Sequence, residues 1–294
     1  MFPGNATADW SPLIDRLVAD RFDEASIRRL FSRPEVEFDP TPMAIKLKTL
    51  LRTKDLPPST DGPYLRNRAV YRGYLKPAVI KAARAYYSEN RVTLQKIQKK
   101  YCTPGEVIVS ILLVETNLGR NTGRQRAFNV LASMARCDNL NLVRDHIRGS
   151  LAAPGAEAYA ERRCREKSDW AYEELKSLIR YAESGNLDTL SIPGSIYGAI
   201  GHCQFMPSNI FLYGVDADQN GHVDLFFTDD ALYSIGNYLH QKGWKCRMDR
   251  VSRHRVILTY NKSQVYANTV LAVADRLKAG APAPKRQARS RQGG

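Results

Sequence analysis

The chain has 294 residues, of which 43% are hydrophobic and 25% charged. Those proportions exclude a disordered chain, a collagen and a disulfide-held miniprotein. Lysine and arginine outnumber the acids by 44 to 30, a net charge of +14. Such an excess favours an anionic polymer as partner: nucleic acid, an acidic membrane surface or an acidic cell wall. The plainer alternative is a solvated basic surface. No apolar run approaches the ~20 residues of a membrane span; the longest, Val107 to Val114, is interrupted by Ser110. Met1-Phe2-Pro3-Gly4 carries neither a basic region nor an apolar signal core. From this the chain is expected to be cytoplasmic, or to have parted from an export signal.

Taken in chain order, most segments read as helix. Apolar residues recur at spacings of three and four in Trp10–Val18, Ser26–Phe31, Met43–Leu51 and Val79–Tyr87. Pro57, Pro58, Gly62 and Pro63 mark 55–63 as a loop or linker. Thr103-Pro104-Gly105-Glu106 reads as a capping box with proline at the first helical position. Trp170–Ala182 is a further helix, with Tyr172, Leu175, Leu178 and Ile179 on one stripe. Val256–Tyr260 is the best strand signal, followed by a turn at Asn261 and Lys262. A last helix is expected over 263–278. The tail from 281 to 294 contains Lys285, Arg286, Arg289 and Arg291 without an acid, and reads as disordered. The five cysteines show no Cys-x-x-Cys pair and no zinc spacing with histidine. An oxidising compartment allows two disulfides and one leftover thiol; a reducing one leaves five small buried side chains.

Three segments carry chemistry. After the expected cap, an apolar helix runs into Glu115, followed by Thr116, Asn117, Leu118 and Gly119. Ile111, Leu112 and Leu118 fall on the face of Glu115, so its carboxyl lies on the apolar stripe near the helix end. Burial of a carboxyl raises its pKa and suits a general acid. The competing reading is an ion pair with Arg120 or Arg124. No second carboxylate is close in sequence: the neighbouring acids are Glu106 and Asp138.

The second segment is Gly194–Ser208. It is no phosphate loop, because no Gly-Lys-Ser/Thr follows. Gly194, Gly198 and Gly201 recur at helical spacing, which permits tight helix packing or close approach of a ligand. Gln204 and Phe205 supply an amide and an aromatic face, a pairing suited to sugars. The third is Asp216-Ala217-Asp218-Gln219-Asn220-Gly221-His222-Val223-Asp224. Oxygen side chains stand at positions 1, 3, 5 and 9, glycine at 6, and the His222 carbonyl at 7, as in an EF-hand loop. Position 12 is Phe227, not glutamate. Unless a longer loop brings Asp230 in, the alternative is an Asx-rich turn that binds nothing.

Together these segments resemble the B-type lytic murein transglycosylases of bacterial cell walls. The resemblance rests on Val-Glu-Thr-Asn-Leu-Gly at 114–119, Phe-Asn-Val-Leu-Ala-Ser at 128–133, all of Gly194–Ser208 and the loop from Asp216. Ser234-Ile-Gly-Asn-Tyr-Leu, Gly243-Trp244 and Tyr260-Asn261-Lys262-Ser263 with Tyr266 extend it, in order, from about Trp10 to Leu277. It implies a mainly α fold with a minor β part: a lysozyme-like catalytic core, an extra helical subdomain and an EF-hand-like loop. The implied organisation is a helical part at 1–54, a catalytic core at 55–280 and the tail. Glu115 falls on the family's catalytic acid/base. Ser195, Gln204, Phe205, Tyr238, Tyr260 and Tyr266 fall on its cleft positions. Structural calcium is implied at Asp216, Asp218, Asn220 and His222, with Asp230 closing the loop; no organic cofactor is expected. Two departures stand out. Cys203 replaces a small residue, and Lys167 with Trp170 stands where the family has a basic pair and a tyrosine.

The implied reaction is non-hydrolytic cleavage of the β-1,4 bond between N-acetylmuramic acid and N-acetylglucosamine, leaving 1,6-anhydromuramic acid ends. The implied partners are peptidoglycan glycan strands and other cell-wall enzymes, in the periplasm, from a precursor that is membrane-anchored. The rival readings are a hydrolytic muramidase on the same scaffold and an inactive peptidoglycan-binding protein. Nucleic acid is not expected as a partner, because no helix-turn-helix, zinc-finger or ribonucleoprotein signature accompanies the charge.

Overall fold

The computed structural model describes residues 9–54 and 69–279; the expected loop at 55–63 and the tail at 281–294 lie outside them. The chain opens with α1 (Ser11–Ala19), α2 (Glu24–Phe31) and α3 (Thr41–Arg52). A 3₁₀ turn at Arg72–Leu75 leads to α4 (Pro77–Glu89), α5 (Arg91–Tyr101) and α6 (Gly105–Thr116). The two-residue strand β1 (Gln125–Arg126) precedes α7 (Ala127–Arg136), α8 (Arg144–Ile147) and α9 (Ala156–Ser184). Then come β2 (Pro193–Gly194), α10 (Pro207–Tyr213), α11 (Thr228–Gln241), α12 (Arg250–Tyr260) and α13 (Gln264–Ala279). The fold is mainly α, as the sequence implies, with β1 and β2 forming one antiparallel pair.

The packing follows the apolar stripes. In α9, Tyr172, Leu175, Leu178 and Ile179 are all buried, and this long helix packs on α7 and α3. Prolines in the first turns of α1, α3 and α4 occupy positions whose N–H has no intrahelical partner anyway. The Asp23 side chain caps α2 by accepting from Ser26 N at 2.9 Å. A second group is built around α6, which packs against α13, α4, α5 and α11. Enclosure on several sides explains why α6 is apolar almost all round. The short α10 touches both α9 and α11 and joins the two groups.

Two local expectations are corrected. The segment Val256–Tyr260 is the end of α12, not a strand. Asp249 caps that helix through Ser252 N at 2.8 Å, and burial of His254, Val256 and Ile257 satisfies its apolar residues in helical register. A short β-branched run does not by itself distinguish strand from helix. The capping box at Thr103 does not form either. Pro104 occupies the N-cap position without a side-chain cap. The Thr103 hydroxyl turns inward and donates to the Gly236 carbonyl at 3.3 Å. The cysteines divide unevenly. Cys102 and Cys246 are bridged, whereas Cys137, Cys164 and Cys203 are buried free thiols. No helix among the described residues is long and apolar enough to cross a membrane.

Candidate active site

Glu115 sits in the last turn of α6. The helix ends abruptly after it, because Asn117, Leu118 and Gly119 all take left-handed backbone angles. Leu118 N reaches back to the Leu112 carbonyl at 3.2 Å and Asn117 N to Leu113 at 3.0 Å, so the left-handed residues fold the chain back onto the last turn and satisfy two of its free carbonyls. Left-handed geometry at Leu118 costs about 1–2 kcal/mol. Thr116 holds the turn in place: its hydroxyl donates to the His202 carbonyl at 2.8 Å and accepts from Gly119 N at 3.0 Å. The acid is therefore tied to the glycine-rich segment through its sequence neighbour.

The residue is half-buried. Burial raises its pKa to about 7, against the opposing effect of a hydrogen bond from Tyr266. That hydroxyl, on α13, donates to Glu115 Oε1 at 2.6 Å. Neither Arg120 nor Arg124 forms an ion pair with Glu115 among the described residues, so that alternative is not realised. Among the described residues no second carboxylate acts on it either. Burial and the Glu115 charge raise the Tyr266 phenol far above its ordinary value. It therefore stays protonated as a donor. Tyr74, on the 3₁₀ turn before α4, also feels the Glu115 charge and donates to the Val114 carbonyl at 3.2 Å. The sequence gives no signal for Tyr74, which is isolated from any motif.

The glycine-rich segment is not helical. Gly194 bridges to Ile200, and Ile200 to Phe205, with left-handed turns at Gly198 and Gly201. A Cβ on Gly198 would lie 2.6 Å from Leu131, and one on Gly201 would lie 2.3 Å from Leu225. The spacing of the glycines reflects tight turns against two core leucines. Ser195 Oγ accepts from Tyr197 N at 3.3 Å and Ala199 N at 3.1 Å. Gln204, itself left-handed, donates through Nε2 to the Thr122 and Gly201 carbonyls at 3.1 and 3.0 Å; its Oε1 is the side-chain oxygen not engaged in these bonds.

The aromatic positions assemble into one cluster. Phe205 lies 5.6 Å from Tyr238 and 5.9 Å from Tyr260, ring centre to ring centre. Tyr238 and Tyr260 meet edge to face at 4.9 Å. Phe205 is only 2% exposed, so the open platform expected of it is a packed ring instead. Tyr238 donates to the Thr259 carbonyl and Tyr260 to the Cys203 carbonyl, both at 2.6 Å. Tyr260 and Tyr266 come to Glu115 from different helices; both feel its charge. The departures have partners as well. Lys167 lies over the Trp170 ring at 5.8 Å and Lys46 over Tyr197 at 4.3 Å. Each lysine is pushed down first by burial and then by neighbouring cations.

The third segment is separate from this cluster. Asp216, Asp218 and Asp230 bring carboxylate oxygens within 4.8 Å of one another. Asp230 is buried, and accepts from Ala217 N at 2.9 Å and Asp224 N at 2.7 Å. It reaches the loop from the first turn of α11 and supplies the acid that position 12 lacks. The Asn220 side chain donates to Asp218 at 3.0 Å and accepts from His222 N at 2.9 Å. The His222 ring stacks on Tyr181 at 5.2 Å, so its main-chain carbonyl is the group left for a metal. Three converging carboxylates with no sulfur or imidazole fit a hard cation of the calcium class.

Comparison with known proteins identifies the family. Residues 5–252 match the transglycosylase SLT domain family. Membrane-bound lytic murein transglycosylase B of Escherichia coli K12 is 27% identical over 241 residues, 79% of this chain. The chain spans 56% of that relative's length. The Escherichia coli lytic transglycosylase SLT35, solved in complex with bulgecin A, superposes with a TM-score of 0.68 at 20% identity, covering 93% of this chain and 94% of that one. It has also been solved in complex with calcium. SltB1 of Pseudomonas aeruginosa superposes with a TM-score of 0.67 at 21% identity, covering 92% and 99%. The chain belongs to the transglycosylase SLT domain family.

Proposed function

We propose that this chain is a lytic transglycosylase that cleaves the β-1,4 bond between N-acetylmuramic acid and N-acetylglucosamine in peptidoglycan. The observation that carries the reading is Glu115: a half-buried carboxyl with a pKa of about 7, held by Tyr266, with no second carboxylate acting on it among the described residues. Protonated, it gives its proton to the glycosidic oxygen as a general acid. The substrate's own N-acetyl group stabilises the positive anomeric carbon, as in substrate-assisted glycosidases. Glu115, now a carboxylate, takes the proton of the muramoyl 6-hydroxyl, which closes on the anomeric carbon. Proximity within one sugar replaces a bound water nucleophile.

Ser195, Gln204 and Tyr260 border the saccharide channel in this reading. Phe205, Tyr238 and Tyr266 form the packed wall that fixes them and the acid. Calcium, held by Asp216, Asp218, Asn220, the His222 carbonyl and Asp230, braces the loop ahead of α11. The bridge between Cys102 and Cys246 favours an oxidising compartment, which fits the periplasm. Digestion of purified sacculi in ¹⁸O-water tests the reaction. Products should be lighter by one water than muramidase products and free of label. Labelled reducing ends would mean hydrolysis by a muramidase, and intact sacculi would mean a binding protein.

A further inference from the structure

A cavity of about 290 Å³ is lined by both halves of the disulfide, Cys102 and Cys246. Glu106, in the first turn of α6, also lines it. Glu115 lies in the last turn of that helix, about 14 Å further along the axis, so this cavity is separate from the candidate active site. Cys246 is exposed and Cys102 half-buried. The bridge is therefore open to an attacking thiol, whereas Cys137, Cys164 and Cys203 are shut away in the core. Access of this kind is what makes a disulfide labile.

The rest of the lining is strongly charged. Arg250 and Asp275 neutralise each other at 2.6 Å. Arg253, Lys278 and Glu106 line the same cavity and form no ion pair among the described residues. Arg253 Nε is buried without a hydrogen-bond partner. Two unmatched cations and one unmatched acid around a sulfur bridge complement a small thiol that carries two carboxylates and one ammonium. A guanidinium matches a carboxylate in geometry as well as charge.

We propose that this cavity is a thiol–disulfide exchange site for a small anionic thiol, held through its carboxylates by Arg253 and Lys278 and through its ammonium by Glu106. Nearby cations also favour the thiolate, which is the attacking form. The thiolate attacks the exposed Cys246 sulfur and forms a mixed disulfide there. The bond to Cys102 breaks, and its electron pair leaves on the Cys102 sulfur, which takes a proton from water. A second molecule of the same thiol displaces the first from Cys246, so the thiol is oxidised to its dimer and the bridge is reduced to two cysteines. Opening it releases Cys102, at the end of α5, from the segment ahead of α12.

Timed reduction of the native, whole protein tests it, with opened bridges trapped by alkylation and counted by mass. Three thiols are compared at equal thiolate concentration: reduced glutathione, which has two carboxylates and one ammonium, neutral 2-mercaptoethanol and cationic cysteamine. Glutathione should open the bridge about tenfold faster than mercaptoethanol, and cysteamine should be the slowest. Arg253→Gln with Lys278→Gln should erase the advantage of glutathione and leave the mercaptoethanol rate within about twofold of the parent. Lys278 is exposed, so Lys278→Gln alone should fold and show part of the same loss. A bridge that opens only after the protein unfolds, equal rates for glutathione and mercaptoethanol, or a rate ratio unchanged in the variants would each overturn the proposal.

Discussion

The Tyr266 hydroxyl and the Glu115 carboxyl meet at 2.6 Å although 151 residues separate them in sequence. Burial pushes the acid up and the tyrosine pulls it down, and the balance lies at about 7. The acid is thus set within the range where a group both gives and retakes a proton at neutral pH.

Replacing Glu115 by glutamine keeps the shape and removes the transferable proton. Turnover should fall by about 10²–10⁴-fold with the fold intact. A variant within threefold of the parent on sacculi would exclude Glu115 as the acid.

The same substitution should alter stability with a definite sign. Glu115 binds its proton more tightly in the native than in the unfolded chain, whose value is near 4.5. The stabilisation from that proton is full below about pH 4.5 and is lost as the pH rises through about 7. The span corresponds to at most about 3 kcal/mol. Glu115→Gln, which cannot ionise, should therefore melt above the parent at pH 8 and approach it at pH 5. Parallel melting curves at both values would contradict this.

Tyr266→Phe removes the hydrogen bond that favours the carboxylate. The Glu115 pKa should rise, and the alkaline limb of kcat/KM should move to higher pH. A limb that stays put or moves down, measured between pH 5 and 9, would show that Tyr266 does not tune the acid.

Calcium should raise the melting temperature, because an ion bound only by the native state stabilises it by mass action. Asp216→Ala and Asp230→Ala should abolish the increment and leave turnover at moderate temperature. A melting curve indifferent to both calcium and chelator would remove the loop from the list of metal sites.

Reducing the bridge between Cys102 and Cys246, 144 residues apart, should destabilise the protein by about 2–5 kcal/mol. Alkylation of the unfolded, unreduced chain should label Cys137, Cys164 and Cys203 only, as counted by mass.

Much of this site was legible from local pattern. Glu115 declared itself by standing on an apolar stripe, and Asp216 to Asp224 by oxygen spacing. What escaped depended on long-range contacts or on ambiguous periods. Tyr74 has no motif around it and reaches the acid only because the turn before α4 packs beside α6. Val256–Tyr260 looked extended because β-branched side chains favour strands, but Asp249 and the buried face of α12 decided otherwise. Gly194, Gly198 and Gly201 showed a helical period by coincidence of turn spacing. Phe205 was recognisable as an important ring, but its enclosure was set by Tyr238 and Tyr260, which lie far along the chain.

Two successive carbonyls of the glycine-rich segment are pinned by different helices: His202 by Thr116 at the end of α6, and Cys203 by Tyr260 at the end of α12. The segment therefore cannot drift relative to the acid without breaking a bond to one helix or the other. Its conformational entropy is surrendered when the protein folds rather than when a ligand arrives, which is the condition for a preorganised receptor. On the proposed reading, a glycan strand would meet a fixed template there, so the ordering, and any twisting of the scissile sugar, would fall on the polymer.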